Sequence, residues 1–418
     1  MTPPPPALAE RVTTLELFFD LVFVFTITQL TALLSEDASL AGLLRVLLLL
    51  AVIWWMYGGY AWLTNAVAPD RAARRLLLLA GMGGFLVLAL SIPRAFGDGG
   101  VAFGLAYLVV VGVHVALFSR TYSVGAAQAI LRTARYNLIS ALLVLGAGVL
   151  ATRSGPAPAV YALWLAAVAV EGVTPFLGGL RGYEIAPAHF VERHGLVVLV
   201  ALGESVVAIG IGAAGYPVDV TLAALAVLGL LLSAGLWWMY FGGDDARAEH
   251  ALAAAPAARR PRMAIEAFGY WHLPILLGII ATAAGMETAI AHPYEPLGPA
   301  MALALAGGVA LFLAGDVLFR RSLEISGSRW RAAAAVLILA TIPLGVFAPA
   351  VAQLIAVVAL LGAGVVAEAR AAPAPPPARR GLRWAPPAGR GSSWPSCPRN
   401  RAASCPSRRT WPSSSAIC

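Results

Sequence analysis

Residues 15–34 read LELFFDLVFVFTITQLTALL, and residues 195–212 read GLVVLVALGESVVAIGIG. Both runs are long and apolar enough to cross a bilayer as a helix, at about 1.5 Å per residue through a hydrocarbon layer of about 30 Å. Yet the first carries Glu16 and Asp20 and the second carries Glu204. An ionisable side chain in hydrocarbon costs several kcal/mol, so its presence marks a functional position.

The rest of the chain has the same character. Hydrophobic residues make up 60% of it and charged residues 12%, against roughly 25% charged in a soluble domain. Apolar runs bounded by charge, Pro or Gly predict spans near 15–34, 40–63, 75–96, 101–120, 136–152 and 158–180, then 194–213, 219–241, 264–285, 299–319, 332–348 and 350–368. The expected fold is therefore an all-α polytopic membrane protein of about twelve transmembrane helices. Its expected parts are an N-terminal segment 1–14, a first six-span body 15–180, a linker 181–193, a second body 194–368 and a tail 369–418. The start MTPPPPALAERVTTLE lacks a basic region and a cleavage site, so the first span is expected to be retained.

Every basic residue is arginine. The formal charge of +8 lies in the tail, where Arg379, Arg380, Arg383, Arg390, Arg399, Arg401, Arg408 and Arg409 face no acid. The remainder balances 21 arginines against 21 acids, which argues against a nucleic-acid partner for the membrane body. Cys397, Cys405 and Cys418 also lie in the tail, so no disulfide or thiolate metal site is expected in the body. The tail's Pro, Arg and Ser composition predicts disorder, and its ending reads like a shifted frame in GC-rich DNA. Loops after even-numbered spans hold clusters such as Arg71, Arg74 and Arg75, or Arg259, Arg260 and Arg262, whereas odd loops hold only Arg94 and Arg153. Arginine is retained on the cytoplasmic side, so both termini are expected there.

Internal similarity suggests duplication. With Leu21 aligned to Leu196, Gln29 falls opposite Glu204; further on, Trp54-Trp55-Met56-Tyr57 recurs as Trp237-Trp238-Met239-Tyr240, and Leu117-Phe118-Ser119-Arg120 as Leu318-Phe319-Arg320-Arg321. A unit of six spans keeps its orientation, so two parallel six-helix repeats are expected. Because Gln29 rather than Asp20 matches Glu204, any site they share is asymmetric.

Several side chains are candidates for a transport or ion path: Asp20, Glu171, Glu204, Glu16, Ser205 and His272. Thr13, Glu16, Asp20 and Thr31 fall within about 60° of one another on a helix, a polar stripe. Glu16 and Asp20 are like charges at i, i+4, which need a cation, a proton or an arginine between them. Arg11 is the nearest in sequence, and Thr13 or Thr14 can cap the helix beside Glu16. Glu171 precedes Gly172, Thr174 and Pro175, a sequence that can free carbonyls for an ion or water. His272 can relay protons or simply hold a hydrogen bond. Asp316 is expected to pair with Arg320 at i, i+4. Trp54-Trp55 and Trp237-Trp238 fit belt anchors. His189, Glu192, Arg193 and His194 form an interfacial cluster without the second motif that a zinc shell requires. No nucleotide-binding or hydrolase motif is present, so neither an enzyme nor a cofactor is expected.

Arg11 to Gln29, with His189-Phe-Val-Glu192-Arg193-His194-Gly195-Leu and Ala201-Leu-Gly-Glu204-Ser205, resembles the bacterial low temperature requirement protein A (LtrA) family over roughly residues 10–368. The resemblance implies a multi-pass bacterial inner-membrane protein, named for a growth phenotype, whose reaction or transported species is not established. A fainter similarity, to a potassium-channel family of six-span repeats with Arg-x-x-x-Phe-Ser-Asp in the first helix, departs here in spacing and has no counterpart in the second body. The leading expectation is a transporter of a small solute or ion, coupled to protons or cations through the intramembrane carboxylates. The alternatives are a passive cation channel and a non-transporting sensor or scaffold.

The arginine pattern generates a test of topology. In a background without native cysteines, Asp98→Cys should react with a membrane-impermeant maleimide in intact cells, and Ser328→Cys only after permeabilisation.

Overall fold

The computed structural model describes residues 12–66, 71–119, 124–180 and 183–371. Among these, twelve helical stretches are long and apolar enough to span a membrane, and no strand occurs. Arg11 and the tail with its arginines and cysteines lie outside the described residues. The helices are α1 Thr14–Glu36, α2 Leu40–Ala66, α3 Ala72–Ser91, α4 Gly100–Phe118, α5 Val124–Thr152 and α6 Ala157–Gly178. There follow α7 Pro187–Gly212, α8 Val220–Phe241, the short α9 Asp244–Ala254, α10 Arg260–Ala264, α11 His272–Ala291, α12 Gly298–Ser322, α13 Arg329–Leu339, α14 Ile342–Phe347 and α15 Ala350–Ala371.

Local chemistry sets the boundaries. Thr13 and Glu16 form a reciprocal capping box that starts α1. Pro187 lies in the first turn of α7, where its missing N–H costs nothing, so residues 187–193, read from sequence as linker, are helical. The fifth helix starts at Val124, twelve residues earlier than the apolar run, and Arg132 uses its position there to donate to the Gly178 carbonyl at the end of α6 (3.1 Å). The eleventh span is broken into α13 and α14, because Pro343 lacks an N–H and its ring clashes with the carbonyl four residues back, at Leu339. Between α10 and α11 the chain widens into a π turn, Ile265–Tyr270.

In the first six spans α3 packs on α1 and α4, α4 on α5, α5 on α6, and α2 on α1, α4 and α6. In the second, α11 packs on α7 and α12, α12 on α13, α13 on α15, and α8 on α7, α12 and α15, the same order of neighbours. The two sets meet where α1 and α2 lie against α7, α11 and, from α2, the π turn. On α1, Phe18 and Leu21 are exposed, as a lipid-facing side requires, whereas Phe19, Phe23 and Ile27 are fully buried.

Small residues allow the closest helix crossings. At Gly278 an added Cβ would stand 2.6 Å from the Gly308 carbonyl oxygen and 2.6 Å from the Phe312 nitrogen on α12, whereas Gly112 on α4 has nothing within 4 Å. Gly278→Val should therefore destabilise the purified protein by about 1–3 kcal/mol in thermal unfolding, and Gly112→Val should leave it close to wild type.

Candidate functional site

The acids of α1 meet basic partners on α7. Glu16 closes the cap by accepting from the Thr13 N–H at 2.7 Å and from the Thr13 hydroxyl at 2.8 Å on one carboxylate oxygen. Its other oxygen lies 3.1 Å from His189 Nε2. Asn65 is held to Ala186 by two hydrogen bonds, Nδ2 to the carbonyl (3.1 Å) and Oδ1 from the N–H (3.0 Å), which fixes its amide orientation. The same Nδ2 lies 3.4 Å from His189 Nδ1, so that nitrogen accepts and Nε2 carries the proton donated to Glu16.

One turn further, Arg193 Nη1 donates to Asp20 Oδ2 at 2.8 Å and to the Glu16 carbonyl at 2.9 Å, while the Tyr57 hydroxyl donates to Asp20 Oδ1 at 2.9 Å. Asp20 is 3% exposed and Arg193 1%. The guanidinium also lies over the Tyr57 ring, 5.5 Å from its centroid. The like-charge pair at i, i+4 on α1 is thus matched by a basic pair at i, i+4 on α7. Both pairings span the same sequence separation, 173 residues, so the two helices run parallel here. The partner of Asp20 is Arg193, and His189 is the partner of Glu16.

Towards the other end of the same contact, the Thr28 hydroxyl donates to Glu204 Oε2 at 2.5 Å, and the Ser35 hydroxyl to Glu287 Oε2 on α11 at 3.3 Å. Thr28, Thr31 and Ser35 share one face of α1. The hydroxyls of Thr31 and Ser205 are buried with no hydrogen-bond partner. Between the two polar groups, Phe23 and Ile27 on α1 and Val197 and Ala201 on α7 are fully buried. From Asp20 to Thr28 is eight residues, about 12 Å of helix, so the seam is polar at both ends and apolar in between.

The remaining candidates fall elsewhere. Glu171 lies inside the first set, where one of its oxygens accepts from Tyr107 and from Ser140 (2.6 Å) and the other is buried without a partner. It does not join Asp20 and Glu204 on the α1–α7 seam, because its helix packs against α2 and α5. The Gly172 carbonyl beside it accepts from Tyr270 at 2.8 Å. His272 bonds the Tyr240 hydroxyl (2.8 Å) and the Ala267 carbonyl (2.9 Å), with no carboxylate on it.

Asp316 pairs with Arg331 rather than with Arg320. Arg331 reaches Asp244 at 2.7 Å and Glu368 at 2.8 Å as well, and Arg320 bonds Glu368 at 2.5 Å. A cluster of three acids and two guanidiniums satisfies more oxygens than one i, i+4 pair. Trp54 is buried, donating to the Gly269 carbonyl at 2.8 Å, and is no belt anchor; Trp237 and Trp238 are exposed. Among the described residues no group of three or more His, Cys, Asp or Glu could hold a metal ion.

The family model for the bacterial low temperature requirement A protein matches residues 11–366, a range that contains the whole seam. The chain belongs to the LtrA family. It is 33% identical over 325 residues to the uncharacterized protein RA0937 of Rhizobium meliloti (strain 1021), covering 73% of this chain and 76% of that one. No solved structure matches. LtrA membership and the twelve spans agree on a multi-pass membrane protein. Of the site, sequence reasoning missed Thr28 and Tyr57, marked Glu287 only as a polar group without a role, and placed Arg193 in a loop. One signal was available: His189 and Arg193 have the same i, i+4 spacing as Glu16 and Asp20.

The two kinds of buried acid separate on mutation. Arg193→Gln strands Asp20 and should cost about 3–5 kcal/mol of stability in detergent. Glu171→Gln keeps an oxygen for Tyr107 and Ser140 and should stay within about 1 kcal/mol of wild type.

Proposed function

We propose that this LtrA-family protein is an inner-membrane carrier of a small solute or ion, coupled to protons or a monovalent cation. It is built as two parallel six-helix repeats with both termini in the cytoplasm. The observation that carries the reading is the seam itself, with the Asp20–Arg193 ion pair and the Glu16–His189 hydrogen bond at the end where α1 and α7 begin, carboxylates on hydroxyls at the other end, and an apolar plug between them. The matching order of helix neighbours in the two sets supports the repeat, and midway sites at a repeat interface are where such carriers bind.

Glu204 and Glu287 are the coupling acids of this reading, each held by a hydroxyl donor on α1. Asp20–Arg193 and Glu16–His189 form the closed gate on the opposite side. A passive channel needs a continuous polar path, and the plug of Phe23, Ile27, Val197 and Ala201 speaks against one. The buried charges give a scaffold no advantage that apolar packing would not supply at lower cost.

Proteoliposomes loaded with a pH dye and given a potential test it, with sodium, potassium and a panel of neutral and charged solutes outside. Wild-type protein should give cation or proton movement that one of the solutes accelerates. Glu204→Gln should lower that rate at least about ten-fold, the scale of one lost charged hydrogen bond, and Glu171→Gln should not. Traces equal to those of empty liposomes, or a wild-type rate in Glu204→Gln, would overturn the reading; solute-independent conductance would replace it with a channel.

A further inference from the structure

A second feature lies beside the seam and takes no part in it. A half-open cavity of about 90 Å³ is bounded by α2, α4, α5, α6, α7 and the π turn. On this wall α2 carries Gly58, where an added Cβ would meet nothing within 4 Å, and α6 carries Pro175 in its last turn. Trp54, Trp55 and Trp62 line it, and among the described lining residues there is neither a carboxylate nor a guanidinium.

The hydrogen-bond inventory of the walls is specific. The Trp54 indole is committed to the Gly269 carbonyl (2.8 Å), and the Trp55 indole to Asn137 Oδ1 (3.2 Å). That bond fixes the Asn137 amide, leaving its Nδ2 as a donor with no protein partner among the described residues. His194 Nδ1 lies 2.8 Å from the Phe190 carbonyl, and His114 Nε2 lies 3.0 Å from the Gly59 carbonyl; since a carbonyl only accepts, these nitrogens are the donors. The second nitrogen of each neutral ring is then an acceptor, and in His114 it is buried without a partner. Aromatic walls, a free imidazole acceptor on His194 and one free amide donor describe a site for a flat ring with a polar hydrogen.

We propose that this cavity binds an uncharged aromatic molecule of a single ring bearing a hydroxyl, the phenol class. The hydroxyl matches either polar wall, since it can donate to an imidazole nitrogen and accept from the Asn137 amide. Among the described lining residues an ion would find no countercharge to compensate its desolvation. Size sets the upper bound: a closed apolar cavity of roughly 150 Å³ holds benzene, so one of about 90 Å³ takes at most one ring, with an edge projecting through its open side. The wall also touches the seam. Trp54 stacks on Tyr57 at 5.4 Å and 13°, and Tyr57 donates to Asp20, so the site is one side chain away from the Asp20–Arg193 pair.

The experiment measures binding alone and stands apart from any transport assay, so its outcome leaves the coupling reading untouched. Purified full-length protein in nanodiscs is titrated with phenol, benzene and benzoate. Tryptophan emission is followed at the red edge of its absorption, with empty nanodiscs as the partition reference in parallel dialysis. Phenol should bind saturably, benzene about ten-fold more weakly for want of the hydrogen bond, and benzoate not at all. Gly58→Leu fills the cavity from a position with free space and should abolish phenol binding while the melting temperature holds. Gly58→Ala, a milder filling, should weaken it several-fold. No saturable phenol binding to wild type, or unchanged affinity in a folded Gly58→Leu protein, would overturn the proposal. Benzene binding as tightly as phenol would remove the assignment of the hydroxyl.

Discussion

Charge inside a bilayer-sized core is tolerated only in pairs, and the structure depends on one such set. Asp20 on α1 and Arg193 on α7 are both almost wholly buried at 2.8 Å, with Glu16 and His189 one turn away. Neither helix could keep its charges alone: α1 would present two like acids at i, i+4, and α7 a buried guanidinium. Once paired, Arg193 neutralises Asp20 and His189 satisfies Glu16, and both contacts form in one register and one relative direction. Six spans lie between the starts of α1 and α7, which makes them parallel, and α2 and α11 pack around them. Pairing of this kind stabilises less through its net energy than through the cost of any arrangement that breaks it.

Much of this was legible in the sequence because hydrocarbon imposes length and polarity on each span. Apolar runs located all twelve helices, and Pro343 marked the one that breaks. The singling out of Asp20 and Glu204 followed from the same rule. What sequence could not supply was partnership across long separations. Arg193 stood among His, Glu and Arg residues and read as a loop, although it is the partner of an acid 173 residues earlier. Glu171 read as a companion of Asp20 because depth in a span says nothing about which face of the helix points where; its partners are Tyr107 and Ser140. Trp54 read as an interface anchor because its indole acceptor, the Gly269 carbonyl, belongs to a π turn that periodicity does not reveal.

Positions that the alignment of the two halves of the sequence pairs carry different chemistry. Tyr57 donates to a carboxylate, whereas its counterpart Tyr240 bonds His272. Glu204 accepts from Thr28, and its counterpart Gln29 is uncharged. The α1–α7 seam is therefore asymmetric in its side chains. The aromatic cavity lies against α2 of the first set and the π turn of the second.

The account's central claim is that the Asp20–Arg193 pair joins the two sets, and a charge swap tests it most directly. Asp20→Arg and Arg193→Asp are each made alone and then together, and the yield of monodisperse protein is measured with its melting temperature. Each single change places like charges in a dry contact and should abolish stable protein, and the double change should restore most of it. A single reversal as stable as wild type, or a double reversal no better than the singles, would contradict the claim.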